Sequence, residues 1–147
     1  EPGGLFGEAF CCAGADSYPV SMEAAEDTRV LLIEYRRILT QCQSACAFHA
    51  RMIANMLLIL AQKNMLLTRK IAHLTRRTTR EKLLSYLSEQ ALLSGTARFD
   101  IPFNRQQLAD YLAVDRSAMS SELSKMQSEG ILHYERNRFE LLRPEEE

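Results

Sequence analysis

Hydrogen-bond donors dominate one face of a short helix predicted between residues 116 and 127. Met119, Leu123 and Met126 recur at intervals of four and three residues and form the apolar side of this helix. The opposite side carries Arg116, Ser117, Ser120, Ser121 and Ser124. Arginine can pair with guanine O6 and N7, and serine hydroxyls bond bases or phosphates. A slim face with these donors and few carboxylates therefore predicts contact with the major groove of a nucleic acid.

A second predicted helix precedes this one, and the connection between them is very short. Leu108 and Leu112 form its inward side, with the small Ala109 between them where another helix can approach closely. Only residues 113–115 separate the two helices, and the side chain of Asp115 can cap the second one. A tight helical corner is therefore predicted.

A two-stranded hairpin is predicted after the corner. The stretches ILHYE and RFELL follow Gly130 and flank Arg136-Asn137. Arg136 or Arg138 is expected to contact phosphate, and Arg105 at the start of the first helix completes the predicted set of DNA-binding residues. The alternative is a plain packing unit with a solvated serine-rich face, because helical corners also occur without a nucleic-acid partner.

One further helix and a short strand are predicted before the corner. Thr78 or Thr79 can cap this helix, and Gly95 ends it. Its buried stripe consists of Leu83, Leu84 and Leu87. Residues 98–103 alternate apolar and polar types but contain a proline, so they form an edge strand at best. Asn104 can cap the helix that follows.

A long helix, free of glycine and proline, is predicted from about residue 45 to about residue 77. Its apolar residues repeat in alternating steps of four and three, which is a heptad seam: Ile53, Leu57, Leu60, Asn64, Leu67, Ile71 and Leu74. The polar Asn64 is of the kind that fixes register between paired helices. We therefore predict a parallel homodimer, and the alternative is that the seam belongs to one globular core. A second stripe is expected to pack on an N-terminal β-domain: Phe48, Met52, Met56 and Ile59.

The N-terminal residues resemble the end of a sheet domain. Residues 30–33 are apolar, partly β-branched and bounded by polar residues, so we predict a strand there. The glycines between residues 3 and 7 predict a turn beside another short strand. Because so short a segment cannot build its own core, the chain is expected to begin inside a sheet domain or to complete its sheet with another copy.

The composition indicates a folded protein rather than a disordered or fibrous one. The 147 residues are 46% hydrophobic with a formal net charge of −1, and no run is long enough to span a membrane. With no export signal either, the cytoplasm is the expected location, without a membrane partner. The charge is uneven, because residues 1–34 are acidic whereas residues 69–82 hold six basic residues and one acidic residue. That asymmetry modestly favours nucleic-acid binding.

No metal site or catalytic centre is predicted. The four cysteines, Cys11, Cys12, Cys42 and Cys46, fit neither a zinc pattern nor a compact disulfide framework, so buried reduced thiols are expected. A cysteine-based redox or metal sensor is one alternative function, and a dimerisation scaffold without specific DNA binding is another. Catalysis is not expected, because the sequence has no phosphate-binding glycine loop, no HExxH and no nucleophile with a matching base.

The order of these parts resembles the cyclic AMP receptor/fumarate–nitrate regulator (Crp/Fnr) superfamily of bacterial transcription factors. The stretches that carry the resemblance are GGLFGEAF (3–10), AAEDTRVLLIEYRRIL (24–39), the long seam helix, RTTREKLLSYL (77–87) and IPFNRQQLADYLAVDRSAMSSELSKMQSEGIL (101–132). The resemblance implies a mainly α, α+β fold in three parts. These are the end of an effector-binding β-roll (1–38), a connecting and dimerisation helix (39–77) and a winged helix-turn-helix domain (78–147).

The function implied by this resemblance is sequence-specific regulation of transcription by a homodimer on an inverted-repeat operator. Double-stranded DNA, RNA polymerase and an unidentified small-molecule effector are the implied partners. Gly7 and Glu8 match the family's effector-binding cassette, but residues around Tyr18-Pro19-Val20 replace the arginine–serine pair that holds a cyclic phosphate. Leu67 stands where the cyclic AMP branch has a hydroxyl. We therefore do not expect cyclic AMP, and no cofactor is predicted.

Overall fold

The computed structural model of the chain describes residues 4–34, 37–38 and 46–142. It comprises two compact units, residues 1–65 and 66–147, whose boundary falls within a long helix. In the described residues the helices are α1 (Glu8–Cys12), α2 (Ala47–Leu74), α3 (Thr79–Ser94), α4 (Arg105–Leu112) and α5 (Arg116–Ser128). The strands are β1 (Arg98–Asp100), β2 (Leu132–Glu135) and β3 (Arg138–Leu141). The fold is therefore mainly α with a small sheet, as predicted.

The second unit has a continuous hydrophobic core. Its sheet has the antiparallel order β1-β3-β2, so β1 is an edge strand, as predicted, and the proline of the predicted stretch lies two residues after it. Helices α3 and α5 pack against this sheet, and α4 packs against α5. The fully buried side chains include Leu83, Leu87, Leu108, Leu112, Met119, Leu123, Met126, Leu132 and Phe139. The predicted inward residues of the helical corner are thus confirmed as core.

Helix caps define the ends of α3, α4 and α5. Thr78 and Asn104 each form a capping box with the residue three positions on, and Asp115 accepts a hydrogen bond from the backbone N–H of Ala118 at 2.8 Å. Gly95 ends α3 in the left-handed conformation. These predicted boundaries are confirmed, with Thr78 rather than Thr79 as the cap.

The long helix α2 is also confirmed, and it ends three residues earlier than predicted. Its predicted start at residue 45 lies outside the described residues, and Ala47 is the first residue of the helix. Several seam residues are solvent-exposed in the single chain, among them Leu57, Leu67 and Ile71 at 57–61% exposure. None of the described part of this helix is apolar and long enough to cross a membrane.

The strand predicted at residues 30–33 is wrong. The chain forms no strand anywhere in the described stretch 4–34, and Leu31 and Leu32 are 83% and 87% exposed. A strand needs a neighbour to pair its backbone N–H and C=O groups, and the stretch has none. The glycine-rich start likewise leads into helix α1 rather than a strand, with Gly7 at φ 76° as its N-cap.

The second stripe and the cysteines also depart from prediction. Met52, Met56 and Ile59 are half-buried, but Phe48 is 66% exposed and meets no β-domain in the described residues. The thiols are less buried than expected, because Cys12 is exposed while Cys11 and Cys46 are half-buried; Cys42 lies outside the described residues. The three-part division at residues 38 and 77 stays a prediction.

Candidate nucleic-acid interface

Helices α4 and α5 form the predicted tight corner, and the backbone at Ala113 makes it possible. Ala113 adopts the left-handed conformation, with φ 49° and ψ 58°, and its N–H donates to the carbonyl of Asp110. The Nζ of Lys82 donates to the carbonyl oxygens of Leu112 at 3.1 Å and of Ala113 at 3.4 Å. A lysine on α3 thereby satisfies carbonyls that the end of α4 leaves unpaired.

Helix α5 presents the predicted donor face. Arg116, Ser117, Ser121 and Ser124 are exposed and Ser120 is half-buried. The hydroxyls of Ser120 and Ser124 donate to backbone carbonyls one turn earlier, at 2.9 and 3.1 Å. Arg116, Ser117 and Ser121 are therefore the donors best placed to reach a ligand without breaking a bond within the helix.

The single carboxylate of α5 is neutralised. The Nε of Arg80, in the first turn of α3, bonds Oε1 of Glu122, and its two terminal nitrogens bond the carboxylate of Glu129 at 2.8 and 2.9 Å. These bonds raise the pKa of Arg80 and lower that of Glu129. Sequence spacing could not reveal this arrangement, because the partners lie 42 and 49 residues apart.

The hairpin forms a wing beside α5. Strands β2 and β3 pair antiparallel with Glu135 opposite Arg138, which leaves Arg136 and Asn137 as a two-residue turn. Arg136 is exposed, with φ 52°. Arg138 is also exposed, but its Nε lies 3.2 Å from Oδ1 of Asp100. Arg138 could therefore contact a phosphate only by leaving or sharing its ion pair with Asp100.

The wing is tied to α5 by two polar contacts that the sequence did not reveal. The backbone N–H of Tyr134 donates to Oε1 of Gln127 at 3.0 Å. The hydroxyl of Tyr134 lies 3.3 Å from Oγ of Ser124. The donor face and the wing therefore form one polar surface.

Arg105, the first residue of α4, packs against aromatic side chains of the wing. Its guanidinium lies 4.7 Å from the ring centroid of Tyr134 and 5.1 Å from that of Phe139, so it packs on two aromatic faces. Burial lowers its pKa, and its Nη1 is buried with no hydrogen-bond partner. This arginine supports the wing whether or not it also contacts DNA.

Gly7 and Glu8, the predicted effector contacts, lie at the start of α1 in the first unit. Glu8 is buried, and its Oε1 accepts from the Nζ of Lys63 at 2.6 Å, while its Oε2 has no hydrogen-bond partner. Their role towards an effector stays a prediction. In the ranges that the structure describes, no group of histidine, cysteine or acidic side chains is arranged to hold a metal.

Two known proteins show similarity to this chain. A relative, the nitrogen fixation regulation protein FixK of Azorhizobium caulinodans, is 28% identical over 153 residues, covering 92% of this chain. The chain spans only 58% of that relative's length. A solved structure described as a transcriptional regulator of the Crp/Fnr family from Eubacterium rectale matches 68% of this chain and 44% of its own, with 19% identity and a TM-score of 0.47.

The profile of the Crp-like helix-turn-helix domain matches residues 52–146, well over half of the chain. The match includes the corner, the donor face and the wing, and the family is one of transcription regulators rather than enzymes, as predicted. The chain therefore belongs to the family of Crp-like helix-turn-helix domains.

Proposed function

We propose that this chain is the DNA-binding part of a Crp/Fnr-type transcription regulator. In this proposal, α5 enters the major groove of the DNA. The observation that carries the proposal is the exposed donor face of α5, whose one carboxylate is held by Arg80. A groove with phosphates on both sides repels uncompensated carboxylates and attracts a lone arginine. Arg116 is assigned to a guanine edge, and Ser117 and Ser121 to neighbouring bases or phosphates.

The proposed functional form is a homodimer on an inverted repeat. The exposed apolar residues Leu57, Leu67 and Ile71 lie on the heptad seam of α2, and a parallel partner helix would cover them. Two copies of α5 would then enter successive major grooves, about 34 Å apart. Arg136 on each wing would contact backbone phosphate. Arg138 would do so by leaving or sharing its ion pair with Asp100, and Arg105 by turning away from the rings of Tyr134 and Phe139.

The proposed regulation is by an effector other than cyclic AMP. The chain spans 58% of the length of its relative, a nitrogen fixation regulation protein. The residues Tyr18-Pro19-Val20 lack the cation that a buried cyclic phosphate would need, and Leu67 has no hydroxyl. RNA polymerase is the proposed protein partner, in keeping with the transcription regulators of this family.

Selection of bound duplexes from a random library tests the proposal. The selection is run at two salt concentrations, because non-specific phosphate binding falls steeply with salt whereas base readout persists as a specificity ratio. We expect an enriched inverted repeat at both concentrations. The variant Arg116→Ala is selected in parallel and should lose enrichment at one base pair in each half-site. Loss of all enrichment at the higher salt, in folded wild-type protein, would favour a scaffold without specific DNA binding.

A further inference from the structure

His73, near the end of α2, is a buried polar residue that no step of DNA binding uses. Its side chain is 4% exposed. Its Nδ1 lies 2.9 Å from the hydroxyl of Ser85, and its Nε2 lies 2.8 Å from Oε2 of Glu89. Both ring nitrogens are thus bonded to α3. Because an unpaired buried polar group is costly, displacement of this ring from Ser85 and Glu89 would be unfavourable.

A second contact one turn earlier fixes the same pair of helices. The Nε of Arg69 lies 3.2 Å from Oε1 of Glu89, so the two oxygens of this carboxylate hold two residues of α2. Arg69 and His73 are four residues apart on α2, as Ser85 and Glu89 are on α3. Four residues on two adjacent turns of each helix therefore form a polar lock, defined as Arg69, His73, Ser85 and Glu89.

Aromatic side chains of the core pack against the polar lock. The His73 ring packs edge-on against Tyr86 at 5.7 Å and lies 6.3 Å from Tyr111 on α4. The Nζ of Lys70 lies 5.1 Å from the centroid of Tyr111. The last two turns of α2 thus contact both α3 and the first helix of the corner.

The polar lock and the dimer seam occupy opposite faces of the same two turns. Leu67 and Ile71 are 57% and 59% exposed, whereas His73 is buried. At about 100° per residue, the seam positions 67, 71 and 74 lie roughly 150° from positions 69 and 73. One face of this segment is therefore open to a partner while the other is fixed to the DNA-binding unit.

We propose that His73 and Glu89 are positioning residues that hold the end of the seam helix at one angle to α3, so that seam register sets the separation of the two recognition helices. Only the operator test of this proposal rests on the DNA-binding function and the homodimer proposed above. The lock itself is a property of residues 66–94 and can be tested without DNA.

Hydrogen exchange in the 147-residue chain tests the lock. His73→Phe keeps a ring against Tyr86 but removes both nitrogens, and Glu89→Gln is the second variant in case the first does not fold. We expect the amides of residues 70–74 to exchange about tenfold faster or more in both variants, since buried hydrogen bonds are lost. The control His133→Phe changes an exposed histidine on the sheet and should leave these rates unchanged. Unchanged rates in both lock variants would overturn the proposal.

Operator spacing tests the transmission of register. Wild-type protein should bind a repeat widened by one base pair about tenfold more weakly than the selected repeat. The lock variants should bind the two repeats within about threefold of each other, with affinity for an isolated half-site unchanged. A purely structural role would instead weaken all duplexes equally, and that result would overturn transmission. Wild-type protein with no sequence preference would refute the proposed function and transmission together, while the exchange result would still decide the lock.

Discussion

Arg116 is the residue on which sequence recognition depends in this account. It is exposed at the first position of α5, and it is the only basic side chain in the first nine residues of that helix. Its two terminal nitrogens can pair with O6 and N7 of one guanine, a contact that no serine can replace. The half-site should therefore contain one base pair that this arginine dominates.

The variant Arg116→Ala tests this residue. We expect binding to the selected operator to weaken by about 1–3 kcal/mol, with preference lost at one base pair per half-site. Fluorescence anisotropy with single-base operator variants measures both effects. The control Arg51→Ala removes the same charge from an exposed position of α2 and should keep the base preference. Equal affinity of Arg116→Ala and wild type for the operator would remove Arg116 from the contact set.

The donor face could be predicted from the sequence, but its supporting residues could not. Met119, Leu123 and Met126 show the helical period, and that period alone places the serines on the outside. Arg80 and Lys82 read only as part of a basic run, although they bond Glu122 and the end of α4. Such contacts depend on tertiary packing between segments far apart in the chain.

The left-handed turn is the strained point of the α4–α5 element. Ala113 has φ 49°, a conformation that carries a steric cost for residues with a Cβ. We expect Ala113→Gly to stabilise the chain by about 0.5–1 kcal/mol, measured by urea unfolding, because the relief of strain exceeds the entropy lost by glycine. Ala61→Gly, at an exposed position inside α2, should instead destabilise by a similar amount. Destabilisation by Ala113→Gly would show that the turn carries no strain.

The ion pair between Arg80 of α3 and Glu129 at the end of α5 should make the free energy of unfolding depend on pH. Hydrogen bonds from Arg80 hold the pKa of Glu129 below its ordinary value. Because this pKa is lowered in the folded chain, its contribution is complete above about pH 4.3, the unperturbed value, and is lost as pH falls through the folded value.

Urea unfolding of wild type and Glu129→Gln between pH 7 and pH 3 measures this contribution. The wild type should be the more stable at pH 7, and the difference should shrink below about pH 4.3 because the wild-type carboxylate is then protonated. The effect should be small and weaker in high salt, since the pair is exposed to solvent. A difference that does not change with pH would exclude this ion pair as the cause.

At the scale of the elements, the sequence predicted the helix caps correctly and the strand at residues 30–33 wrongly. Caps at Thr78, Asn104 and Asp115 act within one turn, so local sequence defines them. The apolar residues 30–33 have a strand-like composition, but a strand also needs a pairing partner. That partner is not encoded in their own sequence, and the described residues supply none.

At the scale of the whole molecule, the seam of α2 should hold two copies together. Ile71→Glu places a carboxylate in the seam, and we expect the dimer dissociation constant to rise by about tenfold or more. Sedimentation equilibrium measures this constant. The control Leu58→Glu changes an exposed leucine on the opposite face of the same helix and should leave the dimer intact. Equal dissociation by both variants, or by neither, would contradict the seam.

The central claim is sequence-specific binding of DNA by this helix-turn-helix unit. The most direct measurement is the ratio of two dissociation constants at physiological salt, one for the selected inverted repeat and one for a scrambled duplex of the same length and composition. The account predicts a preference of about 10³-fold or more for the repeat, with most of it lost in Arg116→Ala. A ratio near one, in a chain shown to be folded and dimeric, would contradict it.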